Sequence, residues 1–146
     1  MKKLLILTLS LLSMQLMFAQ ESEQEILDEF FKLYNSNTSE AIDYIYSSNK
    51  WIDNEGEAVQ NIKTKLNELQ PLLGTYYGGE FVHKGQLGES FVTYIYLAKY
   101  ERQPLRFTFE FYKADDTWIT YSFKFDDSFD DDLEELMMDD YMRRRN

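Results

Sequence analysis

The sequence predicts an α+β fold, with three N-terminal helices packed on one face of an antiparallel sheet of about four strands. Three observations carry this expectation. Apolar residues recur at helical spacing from Ser22 to about Pro71. After Gly74 the period changes to two, the repeat of a half-buried strand. Eleven Phe, eleven Tyr and two Trp make up 16% of the chain, far more than a disordered segment carries.

The first residues read as an export signal. Lys2 and Lys3 precede an apolar run from Leu4 to Phe18, and Ala19 supplies the small residue that signal peptidase needs before its cut. The run is short for a membrane span, and Gln20, Glu21 and Glu23 turn polar at once. The expectation is a signal peptide over 1–19 and a single domain over 20–127, placed in the periplasm or outside the cell. With no cysteine in the chain, neither a disulfide framework nor a lipid-anchored N-terminal cysteine can form.

Ser22-Glu23-Gln24-Glu25 reads as a capping box, with Ile26, Leu27, Phe30, Phe31, Leu33 and Tyr34 forming an apolar stripe behind it. The segment 35–37 breaks that helix. Thr38 or Ser39 is expected to cap a second helix, which carries Ala41, Ile42, Ile45 and Tyr46. A third is expected to start near Asn54, with Glu57 reaching back, and to end at Pro71. Val59, Ile62, Leu66 and Leu69 share one of its faces.

Strands are predicted over 90–100, 105–113 and 118–125, preceded by a weaker one over 79–86. Leu105, Phe107, Phe109 and Phe111 alternate with Arg106, Thr108, Glu110 and Tyr112. Ile119, Tyr121, Phe123 and Phe125 alternate with Trp118, Thr120, Ser122 and Lys124. Aligning both apolar rows sets Phe111 opposite Ile119 and Phe109 opposite Tyr121. A three-residue loop, Ala114-Asp115-Asp116, then closes the hairpin, with Asp116 as its left-handed residue.

Nine of the fifteen residues from Asp126 to Asp140 are acidic. An EF-hand loop starting at Asp126 would need Gly at Asp131 and Glu at Met137, so the motif fails. The tail, 128–146, instead reads as a short amphipathic helix capped by Ser128. Phe129, Leu133, Leu136, Met137 and Tyr141 form its stripe, and Arg143 to Arg145 end it. A solvated tail is the competing reading.

This order of elements resembles the nuclear-transport-factor-2-like (cystatin-like cone) superfamily. The run Lys99-Tyr100-Glu101-Arg102-Gln103-Pro104-Leu105-Arg106-Phe107 and the ending Trp118…Phe123-Lys124-Phe125-Asp126 look like its small exported bacterial members. The resemblance covers roughly residues 22–127. It implies a curved, cone-shaped sheet with a helix lying across it, a pocket between the two, and often a homodimer contact on the open sheet face. That family usually carries a short hairpin between its second and third helices, where this chain has Lys50-Trp51-Ile52.

The formal charge is −11, and it becomes −13 once Lys2 and Lys3 leave with the signal, which argues against nucleic acid or anionic lipid as a partner. No metal cluster, nucleophile–base pair or phosphate loop is legible, so no catalytic residue or cofactor is assigned. His83, the sole histidine, reads either as a general base at a pocket mouth or as an ordinary strand residue. Tyr94, Tyr96, Phe107, Phe109 and Tyr121 are the candidate lining of a pocket for a small apolar ligand, or simply core. Tyr112, Trp118 and Thr120 are the candidate homodimer face, or an exposed aromatic pair on a monomer. The reading is an exported noncatalytic binding or interaction module of the bacterial cell envelope, with a small pocket enzyme as the alternative.

Overall fold

A computed structural model describes residues 22–129 together with 133–135, 137 and 142–144. The export signal lies outside the described residues, as do Leu136, Tyr141 and Arg145 of the tail. No described helix is long and apolar enough to cross a membrane.

Three helices precede four strands: α1 (Glu23–Tyr34), α2 (Thr38–Ser47), α3 (Glu57–Leu73), β1 (Tyr76–Leu87), β2 (Phe91–Tyr100), β3 (Leu105–Lys113) and β4 (Trp118–Asp126). The strands form one antiparallel meander in the order β1-β2-β3-β4, curved and unclosed. The α+β architecture expected from the sequence is the one observed.

The capping box at Ser22 is formed, with Ser22 and Glu25 each bonding the other's backbone. Two later starts differ from expectation. Asn37 caps α2, its Oδ1 accepting from the Glu40 N–H at 3.2 Å, and Thr38 is already helical. Gly56 caps α3, while Asn54 donates to the Asp43 carbonyl at 3.1 Å and is spent on holding the connection to α2. Pro71 sits inside the last turn of α3 rather than ending it, because only the turn preceding a proline loses a bond and the helix stops at Gly74 (φ +83°) anyway. Lys50-Trp51-Ile52 is turn and bend, so no strand stands between α2 and α3.

The core lies between α1 and the sheet. Phe30 is fully buried, with ring centroids 4.9 Å from Phe109, 5.5 Å from Phe123 and 5.6 Å from Tyr34. Phe107, Phe109 and Phe111 are buried as predicted, and the intervening β3 residues face outward. Phe31 closes the other side, 4.7 Å from Tyr96. Its ring lies against Gly79, where an added Cβ would stand 2.5 Å from it. Gly79→Val is therefore expected to lower stability by about 1–3 kcal/mol, read from the shift in urea midpoint. A midpoint equal to wild type would mean that Phe31 swings aside at no cost.

The β3–β4 register corrects the predicted one. Lys113 pairs with Trp118, Tyr112 with Ile119 and Phe111 with Thr120. The register then shifts, and Glu110 pairs with Ser122 and Phe109 with Phe123. Tyr121 is the extra residue of a bulge. The loop has four residues, 114–117, and no non-glycine residue among the described residues has positive φ, so Asp116 is not left-handed. Asp115 Oδ1 instead accepts from the Thr117 N–H at 2.8 Å, holding the turn with a side chain.

The bulge reverses the expected facing of residues 118–121 of β4, while Phe123 and Phe125 stay on the core side as expected. Thr120 is fully buried and Trp118 packs against the core, while Tyr121 is 58% exposed. The bonds that go with it come from the end of α2 and the two residues after it. Ser48 Oγ accepts from the Thr120 N–H at 3.0 Å, and Asn49 Nδ2 donates to the Thr120 carbonyl at 2.8 Å. The Tyr46 hydroxyl accepts from the Phe123 N–H at 3.2 Å and bonds its carbonyl at 3.3 Å. These side chains satisfy backbone groups on the free edge of β4, where a second chain would otherwise pair.

In the tail, 133–135, 137 and 142–144 are helical, and the Leu133 N–H donates to the Phe129 carbonyl at 2.9 Å. Leu133 and Met137 are exposed, so this part of the expected stripe is not docked on the domain.

Candidate binding surfaces

The space between α1 and the sheet is packed with rings. Tyr94, Tyr96, Phe107 and Phe109 come together as expected, but all are buried against α1 and against one another. Tyr121, the fifth expected lining residue, is on the opposite face of the sheet, carried there by the bulge. The five therefore do not share one face of the sheet.

A cleft lies elsewhere, between α3 and the β4 side of the sheet. It holds about 610 Å³ over an apolar floor of Ile62, Leu69, Leu105, Phe123 and Phe125, with Lys65 and Asp127 on its rim. Sequence reasoning missed this cleft because its floor combines helix and strand residues far apart in the chain.

One charged constellation approaches the core from the rim. Lys84 Nζ stands 2.9 Å from Glu23 Oε1, and the Tyr94 hydroxyl donates to the same oxygen at 3.3 Å. Burial pushes the Glu23 carboxyl up, but bonds from Lys84, from its own backbone and from Tyr94 outweigh it, and the net shift is downward. Lys84 is shifted up by its bonds to Tyr94 and Glu23. Both groups are thus held in their charged forms near neutrality, which makes them an ion pair rather than a proton-exchanging couple. His83 is exposed, faces outward opposite Ile95, and lines neither the α3–β4 cleft nor any of three smaller ones. Among the described residues no group of His, Asp and Glu could hold a metal ion.

The open sheet face carries a transverse apolar row. Register aligns Leu87, Phe91, Tyr112 and Ile119 across all four strands, and the Tyr121 ring stands 5.5 Å from Phe91. Leu87, Tyr112 and Tyr121 are exposed. Of the expected dimer-face residues only Tyr112 is on this face; Trp118 and Thr120 point inward, and Tyr121 takes their place. Elsewhere the same face bears three ion pairs: Lys124–Glu110 at 3.2 Å, Arg106–Asp126 at 2.8 Å and Lys99–Glu80 at 3.3 Å. The charges of those pairs cancel, so this face is close to neutral on an otherwise acidic chain.

No protein family, curated protein or solved structure matches the chain.

Proposed function

We propose that this chain is an exported, noncatalytic interaction module of the bacterial cell envelope, of the nuclear-transport-factor-2-like type, that pairs with a second copy of itself through its open sheet face. The observation that carries the reading is the neutral aromatic row just described. Two copies of a chain with charge −11 repel one another unless they meet on a surface where charge is balanced. Leu87, Phe91, Tyr112 and Tyr121 supply such a surface together with apolar area to bury. The helix-covered antiparallel sheet supports the family assignment by its element order.

Sedimentation of the chain from Gln20 onward tests the pairing. Wild type is expected to sediment as a concentration-dependent dimer. Tyr121→Asp is expected to weaken it about 10- to 100-fold, as loss of a central aromatic contact does, with an unchanged circular dichroism spectrum. A wild type that stays monomeric at every concentration sinks the proposal. Trp118→Asp is no test of it, since that ring packs on the core.

A further inference from the structure

Trp51 is the most exposed large apolar side chain among the described residues, at 81%, and Leu87 follows at 77%. They stand at opposite ends of one apolar line. Leu87 begins the transverse row on β1, at one edge of the sheet, and the row crosses Phe91 and Tyr112 to Ile119 on β4. Inter-strand steps of about 4.8 Å make it about 14 Å long. Past β4 the line continues, because Ile119 and Trp51 share a cleft of about 380 Å³ with Ala114 and Asp115 of the β3–β4 loop.

The backbone that carries Trp51 is held in place. Ser48 and Asn49 bond the Thr120 backbone, and Asn49 Oδ1 accepts from the Trp51 N–H at 3.0 Å. The ring itself takes no part in the core cluster. A large ring held at a fixed place outside the core is the kind of side chain that anchors an interface, where it buries its area at little cost in chain entropy.

The two ends of the line also differ in charge. Lys50 Nζ lies 5.0 Å from the Trp51 ring centroid. Glu89 is exposed in the turn between β1 and β2, two residues from both Leu87 and Phe91. Asp115, the acid on the Trp51 cleft, is turned onto the Thr117 N–H at 2.8 Å. Two copies meeting on this face about a two-fold axis can set their lines the same way round or reversed. The first sets Lys50 on Lys50 and Glu89 on Glu89, and like charges so placed are costly. The second joins unlike ends.

We propose that Trp51 is the anchor of the paired state and that the two lines run in opposite directions, so that Trp51 of each copy covers Leu87 of the other and Lys50 faces Glu89. The two-fold axis then runs along the strands, between Phe91 and Tyr112. This arrangement rests on the pairing through the open sheet face proposed above and adds to it a residue outside the sheet and a direction.

Sedimentation of the chain from Gln20 onward over a range of concentrations tests it with four variants. Trp51→Ser is expected to weaken pairing about 10- to 100-fold, with wild-type stability because the ring is exposed. Lys50→Glu is expected to weaken it about 3- to 10-fold. Glu89→Lys is expected to weaken it to the same degree, although it removes negative charge from an acidic chain. The double variant Lys50→Glu/Glu89→Lys is expected to return to within about 3-fold of wild type. A Trp118→Phe chain leaves Trp51 as the sole tryptophan, and its emission is expected to shift to shorter wavelength over the concentrations at which pairing occurs. A wild type that pairs while Trp51→Ser pairs as tightly, or while Trp51 emission stays constant, leaves Trp51 to another partner or to none. That overturns the arrangement and leaves the pairing standing. Tighter pairing in Glu89→Lys overturns the reversed direction, since net charge alone then sets the affinity. A wild type that never pairs overturns both the pairing and this arrangement.

Discussion

Phe30→Ala is expected to lower the free energy of unfolding by about 3–5 kcal/mol, the usual cost of emptying a buried phenylalanine site. Phe30 is the residue through which α1 grips the sheet. Its ring meets Phe107 and Phe109 of β3 and Phe123 of β4, besides Phe31 and Tyr34 on its own helix. Rigid rings from two strands surround the gap and cannot close it by rotamer change alone. The chain has no cysteine, so packing carries the fold without disulfide support. Domains of this size hold about 5–15 kcal/mol in all, so the loss is a large fraction of the total. Urea unfolding followed by tryptophan fluorescence measures the loss. Phe81→Ala, at a half-exposed ring on β1, is the comparison and should cost less than about 1 kcal/mol. A Phe30→Ala cost no larger than that of Phe81→Ala would show that the core is not centred on α1.

Asn49→Ala is expected to cost about 2 kcal/mol and to make the protein prone to aggregation. Asn49 is buried just beyond the end of α2. It donates to the Thr120 carbonyl and accepts from the Trp51 N–H at 3.0 Å, so alanine leaves one buried acceptor and one donor unpaired. The same change uncovers part of the free β4 edge. Both consequences are measurable, the first as a lower urea midpoint and the second as concentration-dependent light scattering below that midpoint. Asn49→Asp separates the two bonds, because it keeps the acceptor for Trp51 and sets a carboxylate against the Thr120 carbonyl. It should be at least as destabilising as alanine. If Asn49→Ala unfolds within about 0.5 kcal/mol of wild type, the edge is held by Ser48 and Tyr46 alone.

Much of the fold is legible in the sequence because the signals for it are local. The Ser22–Glu25 capping box, the α1 stripe and the β3 alternation each lie within a few residues, and each forms as read. The starts of α2 and α3 differ from the expected ones by one or two residues, since several residues near each could cap and only distant partners decide which does. Asn54, for example, is drawn away from α3 by the Asp43 carbonyl of α2. The candidate site was less legible. Tyr112 was placed on the open face from parity alone, but the same parity assigned Trp118, Thr120 and Tyr121 to the wrong sides.

The sequence by itself determined the class of the protein, the order of its seven elements and the aromatic makeup of its core, because helix and strand periods are properties of short segments. The tertiary structure alone decided which face the β4 side chains from Trp118 to Tyr121 take. One bulged residue inverts every side chain beyond it, and what favours the bulge here is a set of hydrogen bonds from Tyr46, Ser48 and Asn49, more than seventy positions away. It also decided that α1 packs tightly on the sheet through Phe30 and Phe31, and that Tyr34, Tyr76 and Tyr100 meet in one cluster. Both depend on how elements distant in sequence close on one another, a distance that no local period records.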